Sequence, residues 1–496
     1  MSESESESES QPRRLVGSRA ILLSQLFKLV IQLGGLVILS RLVEPAEIGF
    51  VALQVTLVTF IDVLRDFGNT TRTLQVGVQN EYPLRENATV SMAFGLVGFA
   101  GYFLISLSLQ RFDLSAEELA AVVIMGFTLI MNGLAAQSSI VLILRKRFSV
   151  VAVVESCAQA AGLIMAVIIV QSGSHLVALA SQLLFVSGLA AFIKFALVPI
   201  LPTRVGLKDI GAFLNQGRHI ASAGLMNFWL YNLDNLIIQT RFGVHALGIY
   251  SRGFQIFMVP VAQLLWPMEK SIQVSSPRPD KEAEFSHFIL QTQTKLQLYA
   301  VFAFTSLALL APAVVPFLLG SNWAETVPLL QLLCLAGLIQ VPALVTHWIL
   351  ILTSNNSTVF KASVLKVLLL AFCLLAFAWN LDLIPVAISC GWFGSWVISL
   401  WLAKRRVSYI PGLRLFLSAF RQIAVGVLTY VLVKVSLSAI GMQNSIENSY
   451  AYFSAACLTY AVLVYLLGGN SSREQLVAVC KYLKKKFRKA PSSAVN

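Results

Sequence analysis

Residues 151–170 read VAVVESCAQAAGLIMAVIIV, and within them only Glu155, Ser156 and Gln159 carry polar side chains. A membrane strand in a closed barrel alternates apolar and polar residues, so this run is not a barrel strand. Twenty residues rising about 1.5 Å each cover a bilayer core about 30 Å thick. A helix also satisfies every backbone group inside the segment, which lipid demands. The stretch reads as one transmembrane helix.

Runs of the same kind recur through the chain. In the first half they fall at 17–40, 46–65, 88–109, 117–141, 150–171 and 175–199. Six more fall at 219–240, 246–267, 291–318, 325–352, 359–379 and 382–403, and a final pair at 418–438 and 449–468. The whole chain of 496 residues is 57% hydrophobic and 12% charged, with a mean hydropathy of +0.75. A soluble domain carries about 25% charged residues. The expected fold class is therefore an all-α membrane protein with about 14 transmembrane helices. Gaps between spans stay below about 25 residues, too short for a folded extramembrane domain.

The net charge of +13 suggests nucleic acid until its distribution is followed. With the N-terminus inside, cytoplasmic segments hold Arg13, Arg14 and Arg19; Arg65, Arg72 and Arg85; and Arg145, Lys146 and Arg147. They continue with Arg204, Lys208 and Arg218; Lys270, Arg278 and Lys281; Lys361 and Lys366; and Lys404, Arg405, Arg406 and Arg414. External gaps show Arg41, Arg111 and Arg241. This is the positive-inside pattern of a multi-pass membrane protein, with both termini cytoplasmic. No nucleic-acid partner is expected.

The arm 1–16 opens with MSESESESES and reads as a disordered acidic-then-basic segment. No cleavable signal is evident, because the first apolar run is of full length and follows an acidic arm. The tail 469–496 includes REQLVAVCKYLKKKFRK from Arg473, a basic stretch with interleaved apolar residues suited to anionic headgroups. Cysteines 157, 334, 373, 390, 457 and 480 lack metal-ligand spacing, and five of them lie in spans. They read as small buried apolar residues, so no disulfide, metal or cofactor is expected. Sequons at Asn69, Asn87, Asn356 and Asn470 all fall on the cytoplasmic side and read as chance.

GLVILSRLVEPAEIGF from Gly35 is echoed by NLIIQTRFGVHALGIY from Asn235, with Arg41 matching Arg241 and Gly49 falling near Gly248. IVLILRKRFSVVAVVES from Ile140 similarly follows the pattern of ILILTSNNSTVFKASVL from Ile349. The copies keep their order and orientation across an even number of spans. The expected organisation is a six-helix lobe at 17–200, a parallel six-helix lobe at 218–405, and an additional helix pair at 418–468. Such paired lobes are a transporter plan, with the substrate path between them and alternating access by rocking.

Charged groups inside a membrane need water or a partner, at about 2.5–3.5 kcal/mol each at a helix centre. Gln25, Lys28 and Gln32 form a polar stripe on the first helix. Asn227, Tyr231 and Asp234 share a face of the seventh, widened by Asn232, Asn235 and Gln239. Arg252, Gln255 and Gln263 follow on the eighth, and Glu155 and Gln159 on the fifth. The candidate cavity residues are thus Lys28, Gln25, Gln32, Arg241, Arg252, Asn227, Tyr231 and Asn235. Lys28 and Arg252 suit phosphate oxygens. Asp234 and Glu155 are the ion-coupling candidates, with Asp234 alternatively pairing Lys28 or Arg252 as a structural bridge. Lys194 and Lys434 read as lysines that snorkel to an interface. Pro260 and Pro267 interrupt the eighth helix, where proline permits bending.

At three landmarks the chain resembles polysaccharide flippases of the multidrug/oligosaccharidyl-lipid/polysaccharide exporter superfamily, especially the branch of colanic-acid-type exporters. The landmarks are SRLVEPAEIGFVAL from Ser40 with DFG at Asp66–Gly68, LDNLIIQTRFGVHALGIYSRGFQI from Leu233, and LLGSNWAETVPLLQLL from Leu318. The resemblance spans about residues 15 to 405. It implies a V-shaped bundle of two six-helix lobes, and as cargo an oligosaccharide linked through pyrophosphate to a polyprenol. It also implies ion coupling by H+ or Na+, which would give Asp234 a role, and export for lipopolysaccharide or exopolysaccharide synthesis beside a polymerase machinery. A cationic cavity that accepts pyrophosphate is consistent with Lys28, Arg241 and Arg252. Gln239-Thr240 stands where relatives often have a small residue before the arginine.

Three rivals share parts of this pattern. A drug/cation antiporter of the same superfamily has the two-lobe plan but usually twelve spans, and favours an acidic cavity. A major-facilitator carrier has a basic motif between its second and third spans that is not convincing here. A membrane glycosyltransferase or polymerase needs a sizeable external loop or an acidic catalytic cluster. The external gaps Arg111–Glu118 and Gly441–Glu447 are short, and no Walker A, HExxH or nucleophile elbow occurs. A transporter, not an enzyme, is expected.

Overall fold

The computed structural model describes residues 11–70, 73, 81–109, 113–265, 268, 272, 275–353, 356–442, 447–469, 472–478 and 481. The acidic arm to residue 10 and most of the basic tail lie outside the described residues, as do Arg72, Arg111, Lys270 and Cys480. Contacts divide the chain into two compact units, residues 1–248 and 249–496.

The first unit contains α1 (Gln11–Leu42), α2 (Pro45–Asp66), α3 (Glu81–Leu109), α4 (Ala116–Leu144), α5 (Phe148–Val170) and α6 (His175–Leu197). The run α7 (Leu207–Pro260) follows and continues into the second unit. It is two helices joined at Gly243, whose φ of 82° and ψ of −176° belong to no helix. That backbone region is essentially open to glycine alone, so Phe242-Gly243-Val244 marks where the seventh span ends and the eighth begins.

The second unit adds α8 (Glu282–Leu319), α9 (Thr326–Leu352), α10 (Asn356–Phe377), α11 (Leu383–Arg406), α12 (Gly412–Ala439) and α13 (Ser449–Leu467). Counting α7 as two, these elements give fourteen helices, one for every span expected from hydropathy. Among the described residues, eleven of the helical runs are long and apolar enough to cross a membrane. Pro260 ends the second arm of α7, and the chain passes into a π-helical turn at Val261–Leu265. Proline supplies no backbone donor and clashes with the preceding turn, which accounts for the break.

Each unit repeats one packing plan. In the first, α3 packs on α4, α4 on α6 and α5 on α6; in the second, α8 packs on α9, α9 on α11 and α10 on α11. These are the third to sixth helices of each expected copy. The last pair rests on α8. Leu309, Val433, Tyr452 and Ala456 form a buried cluster, and the Tyr460 hydroxyl donates to the Leu298 carbonyl at 2.7 Å.

Local chemistry sets the helix ends. Ser115 begins α4 with a capping box, its Oγ accepting from Glu118 N while Glu118 accepts from Ser115 N. Glu44 and Glu47 form the corresponding box at α2, with Pro45 in the first turn. Two cysteines depart from the sequence reading: Cys157 and Cys390 are exposed. A thiol counts as apolar on either face of a helix, so hydrophobicity does not tell a packed face from an open one.

Candidate functional site

Glu155 on α5 sits between two lysines. Its Oε1 accepts from Lys194 Nζ on α6 at 3.1 Å, and its Oε2 lies 3.6 Å from Lys28 Nζ on α1. The side chains of Lys28 and Glu155 are 37% and 39% exposed, that of Lys194 only 10%. Lys194 therefore does not snorkel. Its ammonium is held inside the bundle because a carboxylate is there to receive it. One acid serving two bases leaves the cluster with one surplus positive charge.

One turn along α5, Gln159 Oε1 is buried and has no partner among the described residues. On α1, Gln32 is exposed, while the side chain of Gln25 lies outside the described ones.

A second polar group lines the seam between α2 and the first arm of α7. Phe60 meets Phe228 and Trp229 with ring centroids 5.2 and 5.8 Å apart. Asn235 Nδ2 donates to Thr56 Oγ1 at 3.0 Å. Asp234 beside it is 6% exposed, and its Oδ1 accepts from the Asn235 backbone N at 3.0 Å. Asn227 and Tyr231, on the same arm, are exposed, as is Arg241 at its far end. At the other end of the seam, Asp66 of the DFG turn accepts from Thr70 Oγ1 at 2.5 Å. The Phe67 carbonyl there would lie 2.1 Å from a Cβ on Gly217.

The second unit holds Arg252, 7% exposed. Its Nη1 donates to Gln255 Oε1 at 2.7 Å, one turn along the helix. Its Nε is buried with no partner among the described residues. A buried guanidinium whose donors are incompletely matched is costly unless an acceptor arrives. The third landmark lies in this unit: Trp323 is 1% exposed and Thr326 Oγ1 donates to the Ile249 carbonyl at 3.2 Å.

Several polar groups escaped the sequence reading. Arg65, read there as a cytoplasmic surface charge, is 7% exposed. Its Nε donates to Asp62 Oδ1 at 2.8 Å, and its Nη1 is buried without a partner among the described residues. Asn132 Nδ2 reaches the same Asp62 oxygen at 3.5 Å. The overlooked signal was Asp62 itself, a carboxylate inside the second span and three residues before an arginine. Gln54 is fully buried, its Oε1 accepting from Tyr102 and Ser106 at 2.8 and 2.9 Å.

The structure thus joins Lys28 with Glu155, and Asp234 with Asn235, and pairs Arg252 with Gln255. Compared with known proteins, the chain matches the family described as "Polysaccharide biosynthesis protein" over residues 38–328, more than half its length. It is 21% identical over 349 residues to the lipopolysaccharide biosynthesis protein WzxC of Escherichia coli, covering 67% of this chain and 68% of that protein. It is 26% identical over 315 residues to the succinoglycan biosynthesis transport protein ExoT of Rhizobium meliloti, covering 62% of each. In fold it is similar to the lipid II flippase MurJ in an inward closed conformation, with a TM-score of 0.69, 11% identity, and coverage of 90% of this chain and 98% of that one. An inward-facing multidrug resistance MATE family transporter gives a TM-score of 0.60 at 12% identity, covering 77% of this chain and 95% of that one.

Proposed function

We propose that this chain, which belongs to the polysaccharide biosynthesis protein family, flips lipid-linked oligosaccharide repeat units across the cytoplasmic membrane for surface polysaccharide synthesis. The family match carries the reading. It covers two of the three landmarks whole and most of the third, and the similar proteins are named for lipopolysaccharide and succinoglycan synthesis. The likeness to the lipid II flippase supports the same plan at the level of fold.

The chemistry agrees with such a cargo. A pyrophosphate-linked lipid is anionic at its head, and a surplus ammonium at Lys28 and an incompletely matched guanidinium at Arg252 are groups that would receive it. In this reading Arg241, Gln25, Gln32, Asn227, Tyr231 and Asn235 line the remaining path. Asp234 and Glu155 take up and release a coupling cation, H+ or Na+, during alternating access. Both termini face the cytoplasm, and the chain works as a transporter with no covalent chemistry of its own. The polymerase machinery that consumes the flipped unit is its natural neighbour.

The test is deletion of the gene from its host, followed by mass analysis of membrane glycolipids. Accumulated polyprenyl-pyrophosphate oligosaccharide on the cytoplasmic leaflet, with loss of surface polysaccharide, is the expected result. Normal surface glycan with no trapped intermediate overturns it. That outcome would favour the drug/cation antiporter reading, to which the MATE-like fold also corresponds.

A further inference from the structure

A cleft of about 600 Å³ opens at one end of the first unit, between the start of α3, the end of α4 and the segment that leaves α6. Leu84, Val141, Leu144 and Val198 are among the residues of its floor and walls, and Arg85 and Arg145 stand at its edge. None of the candidate path residues lines it.

The walls are tied in place. Ser138 Oγ on α4 donates to the Val198 carbonyl at 2.9 Å. Thr89 Oγ1, one turn along α3 from Arg85, donates to the Thr203 carbonyl and accepts from Thr203 N, both at 2.8 Å. The strap 198–203 is thereby fastened to both helices at its two ends. Behind it, Leu84, Val141, Leu142 and Val198 form a buried apolar cluster. A cleft pinned in this way keeps its shape when empty, which lowers the cost of filling it.

Its position says what would fill it. Both flanking helices are long and apolar enough to cross a membrane, and neither residues 87–109 of α3 nor residues 119–144 of α4 include a charged side chain. Arg85 lies near the start of α3 and Arg145 is the C-cap of α4, so both stand where an uncharged helical run gives way to charge, the position at which a spanning helix meets lipid headgroups. Lys146 and Arg147 extend the cationic edge, and among the described side chains of these two helix ends Glu86 is the one acid. Leu197, which lines the same cleft, is 46% exposed and leaves apolar surface beside the two arginines. Two guanidiniums above an apolar floor match a phosphodiester with its hydrocarbon attached, whereas a free anion would leave the floor uncovered.

We infer that this cleft binds the headgroup of an anionic glycerophospholipid, with Arg85 and Arg145 holding its phosphodiester. The site is separate from the cargo path and does not depend on what the cargo is. The bound lipid fastens the ends of α3 and α4 to one leaflet.

The full chain is purified in mild detergent and titrated with phosphatidylglycerol in mixed micelles, reading thermal unfolding and retained lipid by native mass spectrometry. Wild type is expected to retain phosphatidylglycerol in preference to phosphatidylcholine, and R85Q/R145Q to bind it about tenfold more weakly. R405Q/R406Q, at the end of another helix, is expected to bind as wild type does. Leu144→Trp, which fills the floor and keeps both arginines, is expected to weaken binding too, and decides the matter if R85Q/R145Q does not fold. Binding of phosphatidylglycerol by both cleft variants at wild-type strength overturns the proposal. So does an equal thermal shift with inorganic phosphate alone, which would make this an anion site with no lipid component.

Discussion

Gly49 and Gly248 meet backbone to backbone. A Cβ on Gly49 would lie 1.7 Å from the Val244 carbonyl oxygen, and one on Gly248 would lie 1.8 Å from the Pro45 carbonyl oxygen. The contact is reciprocal: each glycine follows by four residues the carbonyl that its partner approaches. The two positions are related by the same offset, 248 − 49 = 199 and 244 − 45 = 199. The two glycines that the sequence sets in register thus approach each other in space.

Gly49→Ala and Gly248→Ala are each expected to destabilise the protein by about 1–3 kcal/mol, because a methyl group there forces the backbones apart. The double variant should lose less than the sum, since the first change already opens the contact that the second would strain. Thermal unfolding of detergent-purified protein measures this, and unchanged midpoints for both single variants would remove the constraint.

Glu155→Gln strands Lys194 in its buried position. Breaking a fully buried pair costs about 3–5 kcal/mol; the loss here should be smaller, because the Glu155 side chain is 39% exposed. Lys194→Met in the Glu155→Gln background should restore most of the stability, while Lys28→Met alone should cost little. A double-mutant cycle on unfolding midpoints tests the order, and equal losses for Glu155→Gln and Lys28→Met would refute it.

Arg252 presents a planar fork that lysine cannot reproduce. In a host lacking its own copy of the gene, Arg252→Gln should abolish surface polysaccharide and Arg252→Lys should lower export about tenfold. Full export by the glutamine variant, with normal protein levels, would take Arg252 out of the path.

Gly243→Ala should cost about 1–3 kcal/mol through backbone strain. Nothing lies within 4 Å of the added methyl, so no clash contributes. Phe242→Ala, on the same turn but outside the glycine-only region, should move the unfolding midpoint less. Equal shifts for the two would assign the effect to packing.

Single cysteines at Lys28, Asp234 and Arg252 in a Cys-free background are expected to react with small water-soluble thiol reagents, as a hydrated path requires. Inert thiols at all three positions would sink that path. The lysine and arginine positions should also gain protection from added lipid-linked oligosaccharide.

How far the site could be read in advance differs from residue to residue. Lys28, Glu155, Asp234 and Arg252 were visible because a charge inside an apolar run is conspicuous. Arg65 is hidden for the converse reason. It lies at the end of a span, where a cytoplasmic anchor and a buried ion pair look the same until Asp62 is seen turned toward it. Lys194 posed the same ambiguity, which only its contact with Glu155 resolved.

Span number, the repeat and the positive-inside pattern belong to the chain as a line of residues. They follow from how each segment partitions between water and lipid, which is local to about twenty residues. Which carboxylate meets which cation is a different kind of quantity. Glu155 stands 39 residues from Lys194, on another helix, and Asn235 stands 179 from Thr56. Their meeting depends on how each helix is rotated about its own axis, and that rotation is set by side chains interlocking across neighbouring helices. Hydropathy is nearly blind to it. The membrane plan was therefore in the sequence, and the pairing of its buried charges was decided by tertiary packing.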